Sequence, residues 1–147
     1  MLGLVADRSR IENITSTGDV SPATRPHKSK KITTAMSKTL FQKIIDREIP
    51  AKIAYEDDRA IVIHDISPQA PVHVLVIPKK PIPTLNDLTP ADADLVGHLF
   101  LTASKVMAEL GYRDYRTVFN CGAGAQQTVF HLHLHVLAGR PMTWPPG

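Results

Sequence analysis

At 147 residues with 43% hydrophobic and 21% charged side chains, the sequence fits one globular domain with an ordinary core, and no apolar run approaches the roughly 20 residues that would cross a membrane. The single cysteine, Cys121, excludes an intrachain disulfide framework and suits a reducing compartment, so the expected location is the cytoplasm. The net charge of +3 gathers at one end, because residues 1–38 carry seven Lys/Arg against three Asp/Glu while residues 39–147 carry ten against eleven; neither nucleic acid nor a membrane is an expected partner of such a domain.

Residues 1–36 are rich in Ser, Thr, Pro, Lys and Arg and show no sustained helical or strand period. They lack the apolar area to offset chain ordering and are expected to be a disordered basic extension, leaving 37–147 as the folded domain. Leu2–Ala6 is short for a secretory core. Arg8, Arg10 and Arg25 among hydroxyl residues faintly suggest an organellar presequence, and Asp7, Glu12 and Asp19 count against one. Were the segment a targeting signal, the nucleus or an organelle would replace the cytoplasm.

Thr39-Leu40-Phe41-Gln42 fits a capping box in which Thr39 caps and Gln42 reaches back, opening a short amphipathic helix that ends before Pro50. Strands are expected at Ile53–Glu56 and Ala60–His64 around the acidic turn Asp57-Asp58, and at Val72–Ile77 after a Ser-Pro-Gln-Ala-Pro loop. Thr89-Pro90-Ala91-Asp92 starts a helix that should run to Leu110 and stop at Gly111, with Leu95, Leu99, Ala103, Val106 and Leu110 as its core stripe. On it, Phe100 and Met107 are read as packing, and His98 as solvent-facing or a local hydrogen bonder. A strand at Tyr115–Phe119 leads into the small-residue turn Asn120–Thr128, whose backbone N–H groups could approach an anion.

Phe130 to Leu137 alternates apolar and histidine side chains, the period of a half-buried strand. His131, His133 and His135 therefore share one face, and Phe130, Leu132, Leu134 and Val136 the other. At about 3.3 Å per residue neighbouring rings lie roughly 6.6 Å apart at Cα, too far for all three to hold one metal without distorting the strand. The remaining sequence offers no Cys-x-x-Cys or similar ligand spacing, so a zinc site is incomplete. Acid–base and nucleophilic chemistry on an anionic substrate suits the row better, with one ring neutral for attack and another charged beside a phosphate. Together these elements give an α+β fold of about five antiparallel strands and two helices, the helices covering one sheet face.

The run His131–Leu137 followed by Gly139–Gly147, with Phe41–Ile45, Glu48–Lys52, Glu56–Arg59, His64–Pro71, His73 and Leu75–Lys80, resembles the histidine triad (HIT) superfamily and, within it, the nucleotide-binding Hint branch. The resemblance spans roughly Thr39 to the end. It implies a five-stranded antiparallel sheet with two helices, and a homodimer whose sheets join into a continuous ten-stranded one. The activity it implies is hydrolysis of a purine nucleoside phosphoramidate to AMP and an amine through a covalent nucleotidyl-histidine, with no cofactor and no metal. His133 is then the nucleophile, His135 stands at the phosphate, His73 beside the nucleophile, and His131 completes the motif. Asp65 would meet the ribose hydroxyls and Ile66 the base, while Asn120, Gln126 and Gln127 lie around ribose and phosphate. Thr128 stands where the family commonly has serine; its hydroxyl can donate to the leaving nitrogen, although its methyl group restricts χ1. The alternatives are a dinucleoside polyphosphate hydrolase of another HIT branch and a non-catalytic zinc-binding or scaffold protein.

Overall fold

The computed structural model describes residues 37–146, and the expected extension over residues 1–36 lies outside them. In chain order come helix α1 (Leu40–Ile45), strands β1 (Ile53–Glu56), β2 (Ala60–His64) and β3 (Val72–Pro78), helix α2 (Ala93–Glu109), and strands β4 (Tyr115–Val118) and β5 (Leu134–Ala138). The five strands form one antiparallel sheet in the order β1-β2-β3-β5-β4. Among the described residues no helix is long and apolar enough to cross a membrane.

The alternation read from the sequence decides which side of the sheet each residue serves. Ala60, Val62, Val74, Val76, Leu134 and Val136 pack with Leu99, Ala103, Val106 and Met107 of α2. Ile61, Ile63, Leu75 and Ile77 point the other way and pack with Phe41 and Ile44 of α1. The expectation that both helices cover one face is therefore corrected. Strands β2 and β3 are apolar at both parities, so each face needs its own cover, and burying a side chain such as Leu99 contributes about 1.5–3 kcal/mol.

Local chemistry sets the ends of these elements. The Asp57 carboxylate accepts from the N–H groups of Arg59 and Ala60, both at 2.8 Å, and so shapes the β1–β2 turn. His98 of α2 reaches this carboxylate at 2.8 Å, a link across the fold where a local bond or solvent was expected. Before α2, Asp92 accepts from the backbone N–H and hydroxyl of Thr89, both at 2.9 Å, and pairs with Lys80 at 2.5 Å. The helix ends in a Schellman arrangement: Gly111 at φ +85° donates to Ala108 and Tyr112 donates to Met107. Gly139, at φ +90°, ends β5 where an added Cβ would lie 2.9 Å from the Pro71 side chain.

Two further expectations change. The Thr39 hydroxyl caps α1 by accepting from the Gln42 N–H at 3.1 Å, but the Gln42 amide donates forward to Asp46 at 2.9 Å and does not close the box. The strand expected from Phe130 begins only at Leu134. The proline at position 78 brings no N–H to extend the β3–β5 ladder past the Val76–Leu134 pair, and the Leu132 N–H bonds Ile82 instead. Side-chain alternation nevertheless persists through the irregular residues, with Leu132 in the α2-side core.

Candidate active site

Four histidines gather on the α1 side of β3 and β5. The His133 and His135 ring centroids are 4.9 Å apart, those of His73 and His135 5.2 Å, and Phe41 meets His133 edge-on at 4.9 Å. The β3–β5 register, which places His73 against Leu137 and Leu75 against His135, puts His73 and His135 on one face within bonding reach.

Hydrogen bonds fix the proton positions ring by ring. His131, 1% exposed, places Nε2 2.8 Å from the Pro78 carbonyl and so donates there. Its Nδ1 is then an acceptor, 3.3 Å from the Thr39 hydroxyl. His133 places Nδ1 2.7 Å from the His131 carbonyl, an acceptor only, so this nitrogen carries the proton and Nε2 keeps its lone pair. The Gln69 N–H donates to His73 Nδ1 at 3.1 Å, which leaves His73 Nε2 as the donor to His135 Nδ1 at 2.9 Å. The free nitrogen of His135 therefore bears hydrogen. One nucleophilic lone pair and one N–H donor are thus presented by adjacent rings.

Burial lowers the pKa of His73, His131 and His133. His135 is pushed down to about 4, by burial first and then by His133 and His73. In the protein by itself these shifts all favour the neutral ring. Asp65, whose Oδ1 accepts from the Ser67 N–H at 2.8 Å, keeps Oδ2 3.5 Å from His73 Nε2. Donor atoms of Asp65, His73 and His135 lie within 4.8 Å of one another, so this trio, and not the three alternating histidines, is the set with metal-binding spacing. The bond shared by His73 and His135 occupies both nitrogens in the metal-free arrangement.

A cavity of about 510 Å³ opens onto His133 and His135, with Asp65, Ile66 and Thr128 at its rim and Phe41, Ile44, Ile49 and Ile63 as an apolar wall. Ile66 is 98% exposed and Thr128 is exposed as well. His64 and Lys52 also line it, and burial together with Lys52 lowers the His64 pKa. Three expected positions fall elsewhere. Asn120 lines a smaller cavity on the other side of His135. Gln127 is turned inward, 2% exposed, its amide held by Gly122, Pro83 and Val129, because the turn needs an internal brace. Gln126 is exposed in the left-handed region at φ +67° and does not line the 510 Å³ cavity. The α1 wall, the Gln69 N–H, and Arg116 and Arg140 beside the smaller cavity had no local signal in the sequence.

Comparison with known proteins adds four findings. The family model described as scavenger mRNA decapping enzyme C-term binding matches residues 38–144. An uncharacterized HIT-like protein from Synechocystis sp. is 61% identical over 110 residues, which cover 74% of this chain and 96% of that protein. Among solved structures, a HIT family hydrolase from Legionella pneumophila superposes with a TM-score of 0.73 at 46% identity, covering 75% of this chain and 100% of that one. A histidine triad nucleotide-binding protein from Candida albicans gives a TM-score of 0.63 at 28% identity over 74% of this chain and 83% of its own.

Proposed function

Because this chain belongs to the histidine triad (HIT) superfamily, we propose that its domain, residues 37–147, is a nucleotide hydrolase of the Hint branch that cleaves purine nucleoside phosphoramidates to AMP and an amine. The observation that carries the reading is the His133 tautomer, with Nδ1 tied to a backbone carbonyl and the Nε2 lone pair at the cavity. The descriptions of the Legionella neighbour as a hydrolase and the Candida neighbour as nucleotide-binding support it.

In the proposed mechanism the apolar wall takes the base against Ile66, and Asp65 accepts from the ribose hydroxyls. His133 Nε2 bonds to phosphorus as the P–N bond breaks; the departing nitrogen keeps the bonding pair and takes a proton from solvent, with the Thr128 hydroxyl placed to hydrogen-bond it. The phosphorylated ring becomes cationic, and its Nδ1–H stays on the His131 carbonyl. Water then attacks phosphorus, the N–P electrons return to His133, and the water proton leaves. Dividing the displacement in this way replaces one hard step by two easier ones. The His135 N–H donates to a non-bridging oxygen, and loss of such a donor costs about 10²- to 10³-fold in rate.

The homodimer is proposed on similar ground. Among the described residues strand β4 is an edge, paired only with β5, and a two-fold partner there would continue the sheet to ten strands. Light scattering in solution tests that part. Cys121 is free, which suits the cytoplasm as the place of action.

The activity is tested by comparing AMP phosphoramidate with a diadenosine polyphosphate as substrates, and by trapping acid-labile nucleotidyl-protein from labelled substrate. Turnover of the phosphoramidate with label absent from His133→Asn is the expected result. A parent rate in that variant removes His133 as nucleophile, and turnover of the polyphosphate alone selects the other HIT branch.

A further inference from the structure

The loop between β2 and β3 has little apolar anchorage, because Ile66, Ser67, Pro68 and Gln69 are all exposed. Its shape rests on polar bonds, and most of them are internal. The Ser67 N–H donates to Asp65, the Gln69 side-chain amide donates to the Ser67 carbonyl at 2.9 Å, and the Gln69 N–H donates to His73 Nδ1. Among the described residues, the hydrogen bonds that join residues 66–71 to any segment outside 65–73 come from one side chain, Arg140, 71 positions further along the chain than Gln69.

Arg140 stands just past the end of β5. Its Nε and Nη2 groups both donate to the Gln69 carbonyl at 3.3 Å, and Nη1 donates to the Pro141 carbonyl at 3.1 Å. Among the described residues no carboxylate lies within salt-bridge distance of it. A guanidinium is a rigid planar fork, so two N–H groups on one oxygen fix both the position and the direction of that carbonyl. With Gly139 packed against Pro71, the end of β5 clasps the loop at two points.

The clasp bears on which ring nitrogens carry hydrogen. Taken alone, the bond between His73 and His135 is symmetrical: either ring can donate to the other, and burial lowers the pKa of both, so the choice lies between neutral tautomers. Two groups favour hydrogen on His73 Nε2, namely the Gln69 N–H at Nδ1 and the Asp65 carboxylate 3.5 Å from Nε2. Once Asp65 accepts from a ribose, as proposed above, the Gln69 N–H is the selector that remains. The N–H and carbonyl of Gln69 flank a single Cα, so a carbonyl held by Arg140 limits how far that N–H can turn from His73.

We propose that Arg140 is a positioning residue for the hydrolysis: by holding the Gln69 carbonyl it keeps the Gln69 N–H on His73 Nδ1, and so keeps hydrogen on the His135 nitrogen proposed to face the phosphate. The inference rests on the phosphoramidase reading for its effect on rate, and on the free protein alone for its effect on the rings. Without Arg140 the Gln69 N–H can leave His73, whose hydrogen then moves from Nε2 to Nδ1. His135 donates in turn from Nδ1 to His73 Nε2, and its other nitrogen holds a lone pair against a phosphate oxygen. Each ring keeps one hydrogen throughout.

The test is ¹⁵N NMR of the substrate-free full chain labelled in histidine, on the parent, Arg140→Met and Arg140→Lys, because ring nitrogens with and without hydrogen resonate far apart. The parent is expected to carry hydrogen on His73 Nε2 alone, Arg140→Met to show a share on Nδ1, and Arg140→Lys, which restores a cationic donor, to return the parent spectrum. With AMP phosphoramidate, kcat should fall about tenfold in Arg140→Met, less than the about 10²- to 10³-fold of losing a donor outright, and recover in Arg140→Lys. Arg140 is exposed, so its truncation opens no core cavity, and a loss of folded protein would lower activity without inverting a tautomer. An unchanged His73 tautomer in Arg140→Met overturns the proposal whatever happens to the rate. An inverted tautomer with kcat unchanged overturns the role in hydrolysis. Should the parent chain not hydrolyse AMP phosphoramidate, the phosphoramidase reading fails and the rate effect with it, while the spectra still decide the hold of Arg140 on the rings.

Discussion

The carbonyl of His131 holds the ring of His133, at 2.7 Å from Nδ1, and His131 is itself pinned through its own ring to Pro78 at 2.8 Å. The triad thus divides its labour: His131 anchors a peptide group, that peptide group sets a tautomer, and the tautomer frees a lone pair. All three parts lie on one sheet face because the side-chain alternation continues beyond the regular end of β5.

Removing His73 should act through His135. In His73→Phe the donor to His135 Nδ1 is gone, so His135 can shift its proton to that nitrogen and lose the N–H proposed to face the phosphate. With AMP phosphoramidate, kcat should fall about 10²- to 10³-fold with a smaller change in KM. Steady-state kinetics at neutral pH check this, and an unchanged kcat would show that the tautomer chain from Gln69 has no catalytic role.

The acid limb of activity should lie below the ordinary histidine range. The proposed attack needs His133 neutral, and burial lowers its pKa, so kcat/KM should stay level through pH 6.5 and decline only below it. Stability has the same sign. Between about 6.5 and about 4 the unfolded chain binds a proton at His135 that the folded chain refuses, so stability is complete above the unfolded value and declines as pH falls toward the folded one. Asp57 adds a lower step. Burial opposes its ionisation, but the N–H groups of Arg59 and Ala60 with His98 and Tyr55 prevail and bring its pKa to about 2; this contribution is present above the ordinary carboxylate value and lost below it. Melting temperature against pH, compared with His135→Asn, reads the upper step.

Thr39→Val should cost stability more than chemistry. The hydroxyl caps α1 and also donates to His131 Nδ1, so its loss should destabilise by about 1–2 kcal/mol. The Pro78 bond still anchors His131, and kcat should remain within about threefold of the parent, far less than the loss of a direct phosphate donor. Denaturant unfolding and steady-state kinetics on one preparation separate the two effects.

Metal should inhibit and should not activate. Zinc at Asp65, His73 and His135 would have to displace the His73 Nε2–H that donates to His135 Nδ1, and it would draw Asp65 and His135 onto the metal and away from the substrate groups they are proposed to meet. Added zinc is expected to inhibit, Asp65→Asn to weaken that inhibition, and exhaustive chelation to leave hydrolysis intact. Activity lost on chelation and regained with zinc would make the protein a metalloenzyme.

The five strands, both helices and the common face of the histidines were legible in the sequence because each is written in a local period or a cap. The rest depends on contacts between distant segments. Nothing near His131 announces the Pro78 carbonyl, nothing near His98 announces Asp57, and the inward turn of Gln127 follows from acceptors at Pro83 and Val129. The second helix face was missed because an apolar strand reads alike whichever side is covered. The charge states needed burial, which a row of letters does not contain.

The loop from Asp65 to Pro71 carries both Asp65 and Ile66 at the rim of the larger cavity and the Gln69 N–H that dictates the His73 tautomer. Whatever closes on that rim therefore also steadies the arrangement of hydrogens between the rings. A truncated reactant lacking the sugar and base would leave that loop without its handhold, and should suffer in turnover as well as in affinity, since recognition and proton bookkeeping share one short piece of backbone.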